Sequence, residues 1–136
     1  MKLVTAAIIL LALAGVLVSA LALREHYTTE TSPCSINDKW DCGAVNKSPY
    51  ALVRGVPVAL LGILGYAALG ALAGRLRIVT ALAALAGVAF SLRLTWVEWK
   101  VLEMWCVYCV ASQSIILAIA ALAVADVVFA RRRRRG

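Results

Sequence analysis

Four apolar stretches divide the chain, at about residues 3–23, 56–73, 78–97 and 107–130. Each is close to the ~20 residues that a helix needs to span hydrocarbon. The one substantial polar segment, 24–54, separates the first stretch from the second; it is too short to be a domain and too polar to enter lipid unaided. The second and third stretches meet at a tight turn, Gly74-Arg75-Leu76-Arg77, which predicts an antiparallel hairpin. Gly62, Gly65, Gly70 and Gly74 offer the second helix small surfaces for close approach. Trp96 and Trp99 at the end of the third stretch, with Trp105 and Tyr108 at the start of the fourth, read as an aromatic belt at a lipid–water boundary. The predicted fold is an all-α membrane protein, a single domain over 1–136. It consists of a four-transmembrane-helix bundle, an extracytoplasmic loop with short helical pieces, and a basic tail at 131–136.

Composition agrees. With 63% hydrophobic and 15% charged residues and a mean hydropathy of +0.89, the chain lacks the polar surface to enclose a water-soluble core. In a soluble protein a net charge of +7 would suggest nucleic acid, but here the excess is concentrated in Arg75, Arg77 and the run Arg131 to Arg135. With Lys2, these make eight Lys/Arg on one side against one nearby acid, Asp126. The opposite side is nearly neutral, so the charge sets orientation, with both termini cytoplasmic, and no nucleic-acid partner is implied. The tail also suits contact with anionic lipid of the bilayer. A cleaved signal peptide would also explain Lys2 followed by an apolar run, but 21 residues exceed the ~7–15 of a signal core. Its removal would also leave three spans and an orientation conflict.

The chemistry lies in four cysteines. Cys34 and Cys42 fall in the polar loop, and Cys106 and Cys109 form a C-x-x-C at the mouth of the fourth stretch. This topology places all four on the extracytoplasmic, oxidising side. Within the loop, Ser32-Pro33 and Asn37-Asp38 form turns around Cys34, Ser48-Pro49 reads as a helix start, and Ala44, Val45, Ala51, Leu52 and Val53 suit short amphipathic pieces on the membrane surface. Cys106 and Cys109 share a helical face within one turn, where the helix N-terminus favours a thiolate. The loop pair can accept electrons from a partner and pass them on by thiol–disulfide exchange. Static disulfides and a four-cysteine zinc site are the competing structural readings. A C-x-x-C within a helix closes almost no loop entropy, and no second C-x-x-C completes a metal site.

Electrons leaving Cys109 need an acceptor, and the sequence offers no haem ligand pair, no nucleotide fingerprint and one histidine, His26. A lipid-soluble quinone is the economical choice. Gln113, one turn deeper than Cys109 on the same face, is placed either to hydrogen-bond a quinone oxygen or to join helices. Arg93 is expected to snorkel outward or to pair with an acid such as Glu98, and Asp126 to lie at the cytoplasmic interface.

Together, Cys34 and Cys42 in the first loop, Ser48 six residues on, the stretch GVPVALLGILGY from Gly55 to Tyr66, and CVYC opening the last helix resemble the vitamin K epoxide reductase family over about residues 3–129. A DsbB-type enzyme carries its C-x-x-C before the separated pair, so the cysteine order argues against that family. The resemblance implies a four-helix bundle around a quinone of the menaquinone, ubiquinone or vitamin K type, with no metal. It also implies that Cys34 exchanges with a thioredoxin-like partner, Cys42 reduces Cys106, Cys109 faces the quinone, and Ser48 lies near the quinone. Animal members have tyrosine four residues after the final cysteine, where this chain has Gln113. That difference favours a microbial role, in the cytoplasmic membrane of a prokaryote, of making disulfides in exported proteins. With no thioredoxin-like domain after the arginine tail, the partner is expected to be a separate extracytoplasmic protein. Reduction of a quinone or its epoxide for its own sake, and a non-catalytic membrane protein stapled by disulfides, are the alternative functions.

Overall fold

A computed structural model describes residues 2–27 and 40–136. Cys34, Ser32-Pro33 and Asn37-Asp38 lie outside the described residues. Helix α1 spans Lys2–Tyr27, and a short α2, Cys42–Lys47, is followed by a single 3₁₀ turn, Pro49–Ala51. A two-stranded ribbon, β1 (Leu52–Val53) against β2 (Val56–Pro57), leads into α3, Val58–Leu72. Helix α4, Arg77–Val97, continues into a π-helical turn, Glu98–Leu102, and α5 runs from Val107 to Arg135.

Three helical segments are long and apolar enough to cross a membrane, Lys2–Tyr27, Arg77–Leu102 and Val107–Arg135. The fourth apolar helix, α3, has 15 residues and so rises about 22 Å, short of the ~30 Å hydrocarbon core. It is shorter than its apolar stretch because Val56 and Pro57 belong to the ribbon. The two residues between the strands, Arg54 and Gly55, both have positive φ (53° and 84°), the geometry that turns a tight hairpin without splaying its strands. Sequence reading did not predict this ribbon. At the other end the arginines prolong α5 instead of trailing as a tail.

The core between helices is built mainly from small residues: Ala12, Ala73, Ala81, Ala84, Ala120 and Ala123 pack with Ile8, Tyr66, Leu69, Ile116 and Ile119. Small side chains let backbones approach where lipid supplies no hydrophobic drive. Helix α3 lies along α1, α1 touches α5, and α4 runs beside α5. A Cβ at Gly15 would sit 2.4 Å from the Tyr66 ring, and one at Gly62 would sit 2.7 Å from Ser19 Oγ. Gly70 meets Ala12 in the same α1–α3 seam. The expected α3–α4 hairpin is corrected: Gly74, at φ 78°, does turn the chain, but α3 and α4 touch only sparsely. Gly65 has nothing within 4 Å of its would-be Cβ, because it faces an internal cavity.

Candidate functional site

The cavity, about 270 Å³, lies among α1, α3, α4 and α5 where α3 and α4 separate. Its walls are largely apolar, from Val18, Leu61, Leu69, Phe90, Leu94 and Ile116 among others. A few polar groups interrupt them. Asn46, Glu98 and Cys109 also lie on the wall, together with Tyr66 and Ser112. The Tyr66 hydroxyl donates to the Ser112 carbonyl at 2.7 Å and lies 2.8 Å from its Oγ.

Above the cavity, the loop is tied to the start of α5. Trp40 bridges to Trp105, with ring centroids 6.2 Å apart, and the Asp41 N–H donates to the Trp105 carbonyl at 3.0 Å. That bond sets α2 over Cys106. Val45, expected on the membrane surface, instead packs inward against Cys106. His26 Nδ1 lies 2.5 Å from the Asn46 carbonyl, so the end of α1 also fixes α2. Cys42 opens α2, four residues before Asn46 and therefore one turn from it.

Cys106 is fully buried and caps α5. Its backbone is extended (φ −115°, ψ 120°), and its sulfur accepts the Cys109 N–H at 3.3 Å, the bond that serine or aspartate makes at other helix starts. The Asn46 side-chain amide donates to the same sulfur at 3.4 Å. The Cys106 thiol is held below its usual range, foremost by hydrogen bonding with the Cys109 thiol. Burial opposes this, the Cys109 N–H favours it, the nearby Glu98 charge opposes it, and the Asn46 amide favours it. Cys109, three residues on, is half-buried and belongs to the cavity wall. Neither of these two cysteines is in a disulfide.

Glu98 completes this group. Its side chain is buried, with 4% of the residue exposed, and its Oε2 accepts the Cys106 N–H at 3.3 Å. The same carboxylate lies beside the Cys109 thiol and interacts with it electrostatically. The π-helical turn makes this possible. It carries the chain past α4 until Glu103, in the left-handed region at φ 53°, ends it, and the Met104 N–H closes onto the Glu98 carbonyl at 3.1 Å.

Ser48 and Gln113 are not among the residues lining the cavity. The Ser48 hydroxyl donates to the Val45 carbonyl at 2.8 Å, and although Ser48 precedes the 3₁₀ turn, it makes no capping bond. Gln113 Oε1 accepts from Thr95 Oγ1, so it joins α5 to α4. Arg93 is exposed, and the suggested Arg93–Glu98 pair is replaced by the contacts of Glu98 with the cysteines. Trp96 and Trp99 are exposed as a belt requires, whereas Trp105 stacks on the loop and Tyr108 lines the cavity. Among the described residues, no group of three or more His, Cys, Asp or Glu is placed to hold a metal ion.

Sequence reading missed Asn46 and Glu98 as site residues. Asn46 carried a faint signal, its position one turn after Cys42. The position of Glu98 depends on the π-helical turn, which no local pattern announced.

A comparison with curated proteins found no match. The profile of the vitamin K epoxide reductase family matches residues 6–124, most of the chain, and the protein therefore belongs to that family of membrane oxidoreductases.

Proposed function

We propose that this protein is a quinone-dependent thiol oxidase with four spans, both termini cytoplasmic and its cysteines extracytoplasmic, and that it supports disulfide formation in exported proteins. The observation that carries the reading is the division of labour within CVYC: Cys106 lies under the loop helix, touched by Asn46, while Cys109 lies on the cavity wall. One sulfur thus meets the loop, and its neighbour meets the space where a lipid-soluble molecule fits.

In this scheme a thiolate of a separate thioredoxin-like protein attacks Cys34 of a Cys34–Cys42 disulfide and releases Cys42 as thiolate. The partner's second thiol then displaces Cys34, and the partner leaves oxidised. The Cys42 thiolate attacks Cys106 of the Cys106–Cys109 disulfide, and Cys109 leaves. Cys34 attacks Cys42 in the resulting Cys42–Cys106 bond, which restores the loop disulfide and leaves Cys106 and Cys109 reduced. Each step exchanges one S–S bond for another, so two electrons move inward without loss. The low pKa of Cys106 makes it a ready leaving group in the final exchange.

The cavity suits a quinone: its walls are largely apolar, with Cys109, the Asn46 amide and the Tyr66–Ser112 pair as polar groups on them. These residues would hold it, and a bound quinone supplies the acceptor for two electrons and two protons. With α3 and α4 touching only sparsely, entry between them from the membrane is the route this reading assigns to the quinone.

The test is turnover by purified protein in lipid, with a reduced thioredoxin-like protein as donor and menaquinone or ubiquinone as acceptor. Quinol formation matched by partner oxidation is expected, and Cys106→Ala is expected to abolish both. No quinol with either quinone, or turnover that survives Cys106→Ala, overturns the reading.

A further inference from the structure

We infer that Glu98 is a catalytic residue that takes the proton of the Cys109 thiol and passes it to the quinone oxygen, an assignment that rests on the oxidase reading above. Three observations carry it. The carboxylate accepts the Cys106 N–H at the start of the turn that carries Cys109 and interacts electrostatically with the Cys109 thiol, its residue forms part of the same cavity wall as Cys109, and it is nearly sealed from water. The base is thus within reach of the proton it removes and of the space where the acceptor binds.

The proton count gives this group a task. Closing the Cys106–Cys109 bond releases two electrons and two protons from two thiols, and making a quinol consumes the same. Hydrogen bonding to the Cys106 sulfur favours its thiolate, so of the two protons that of Cys106 leaves the more readily, to solvent, and solvent supplies one proton to the quinol. Cys109 lies on the wall of the cavity, and its proton must leave within the bundle as its electron pair leaves. Glu98 is positioned to receive it. Its Oε2 is steadied by the Cys106 N–H, a donor that cannot itself give up a proton at working pH. The contrast with Asp126, held by Arg77, shows that this chain pairs a buried acid with a cation elsewhere, whereas the contacts identified for Glu98 are an N–H and a thiol.

The experiment compares E98Q with the wild type in two ways. The first uses quinone-free, reduced protein and an apolar maleimide, with alkylation of Cys106 and Cys109 resolved by mass spectrometry. If Glu98 acts as base, Cys109 alkylation slows about tenfold or more in E98Q while Cys106 alkylation is unchanged or faster, because the Glu98 charge opposes the Cys106 thiolate. A carboxylate that merely packs there would have the opposite effect, because removing its negative charge makes the thiolate easier to form. Unchanged or faster Cys109 alkylation overturns the assignment. The second measures quinol formation from pre-reduced protein, expected to fall by about 10²–10⁴-fold in E98Q. A wild type that alkylates as expected but makes no quinol overturns the oxidase reading and the destination of the proton, while quinol formation that is normal in E98Q overturns the role of Glu98 alone. If E98Q does not fold, E98D replaces it: alkylation intermediate between wild type and E98A supports the relay, and alkylation no faster than in E98A overturns it.

Discussion

Two carboxylates, Glu98 and Asp126, are buried to nearly the same degree at opposite ends of the α4–α5 pair, with 4% and 6% of each residue exposed. Helices α4 and α5 run antiparallel, so the start of one faces the end of the other. At one end, the inner end in the proposed topology, that brings Arg77 to Asp126, with Nε 3.0 Å from Oδ2. At the other, the outer end in that topology, it brings Glu98 to the Cys106 N–H and beside the Cys109 thiol. A buried charge is tolerated when it is paired and hydrogen-bonded. The inner acid is paired with a fixed cation, which makes it part of the scaffold. The outer acid is held by groups of the redox centre, which couples its charge to the state of the sulfurs. Burial alone therefore does not distinguish a structural carboxylate from a chemical one; the partners do.

The strongest way to break this contrast is to remove the sulfur that faces the cavity. With Cys109→Ala, Cys106 has no resolving neighbour, so electron flow to quinone is expected to fall to background. A mixed disulfide through Cys106 or Cys34 should accumulate, and non-reducing electrophoresis followed by mass spectrometry identifies it. If the cysteines were staples, the variant would keep its function and trap nothing.

The inner end should respond in the other currency, stability. Replacing Asp126 by Ala leaves the guanidinium of Arg77 without its carboxylate. Breaking a fully buried pair costs ~3–5 kcal/mol, but with 32% of its side chain exposed Arg77 can recover water, so about 1–2 kcal/mol is expected. Unfolding of the purified protein in detergent measures this, while quinol formation per folded molecule should match the wild type. A variant that loses turnover without losing stability would erase the distinction between the two ends.

Much of this architecture was legible in the sequence because lipid imposes simple rules. Long apolar runs gave the three long helices, the arginine clusters marked one end, and Gly62 and Gly70 marked a close seam. The turn at Gly74 was equally plain, yet the packing it implied is sparse, since chain adjacency says nothing about whether a cavity opens between two helices. Cys106 and Cys109 could be placed at a helix mouth from their position at the start of the fourth apolar stretch, and on one face from their spacing. Gln113 was read onto the face of Cys109 by helical periodicity, and periodicity does not record that Thr95 across the seam would take its side chain. Glu98 needed a π-helical turn and a left-handed Glu103 to reach the sulfurs, and both are departures from regular helix that tertiary contacts select. The polar loop was the least legible part. Val45 turned inward because α2 is pinned from two sides, by the Trp105 carbonyl and by His26.

The smallest expected effect tests how the loop helix tunes the outer end. Asn46 donates its side-chain amide to Cys106 Sγ at 3.4 Å, a weak hydrogen bond by length but one directed at a group that carries charge as thiolate. Hydrogen bonding to the charged form lowers a pKa, so removing the donor raises it. With Asn46→Ala the alkylation rate of Cys106 should therefore shift to higher pH. The shift should be modest, since the larger contribution, hydrogen bonding with the Cys109 thiol, remains. Thiolate is the better leaving group when Cys34 attacks the Cys42–Cys106 bond, so that exchange should slow in parallel. The inner end offers the control: Asp126→Ala, far from both sulfurs, should leave the Cys106 alkylation profile where it is. A profile that moves to lower pH in Asn46→Ala, or moves equally in both variants, would mean that the amide does not stabilise the sulfur and that α2 acts on Cys106 through packing by Val45 alone.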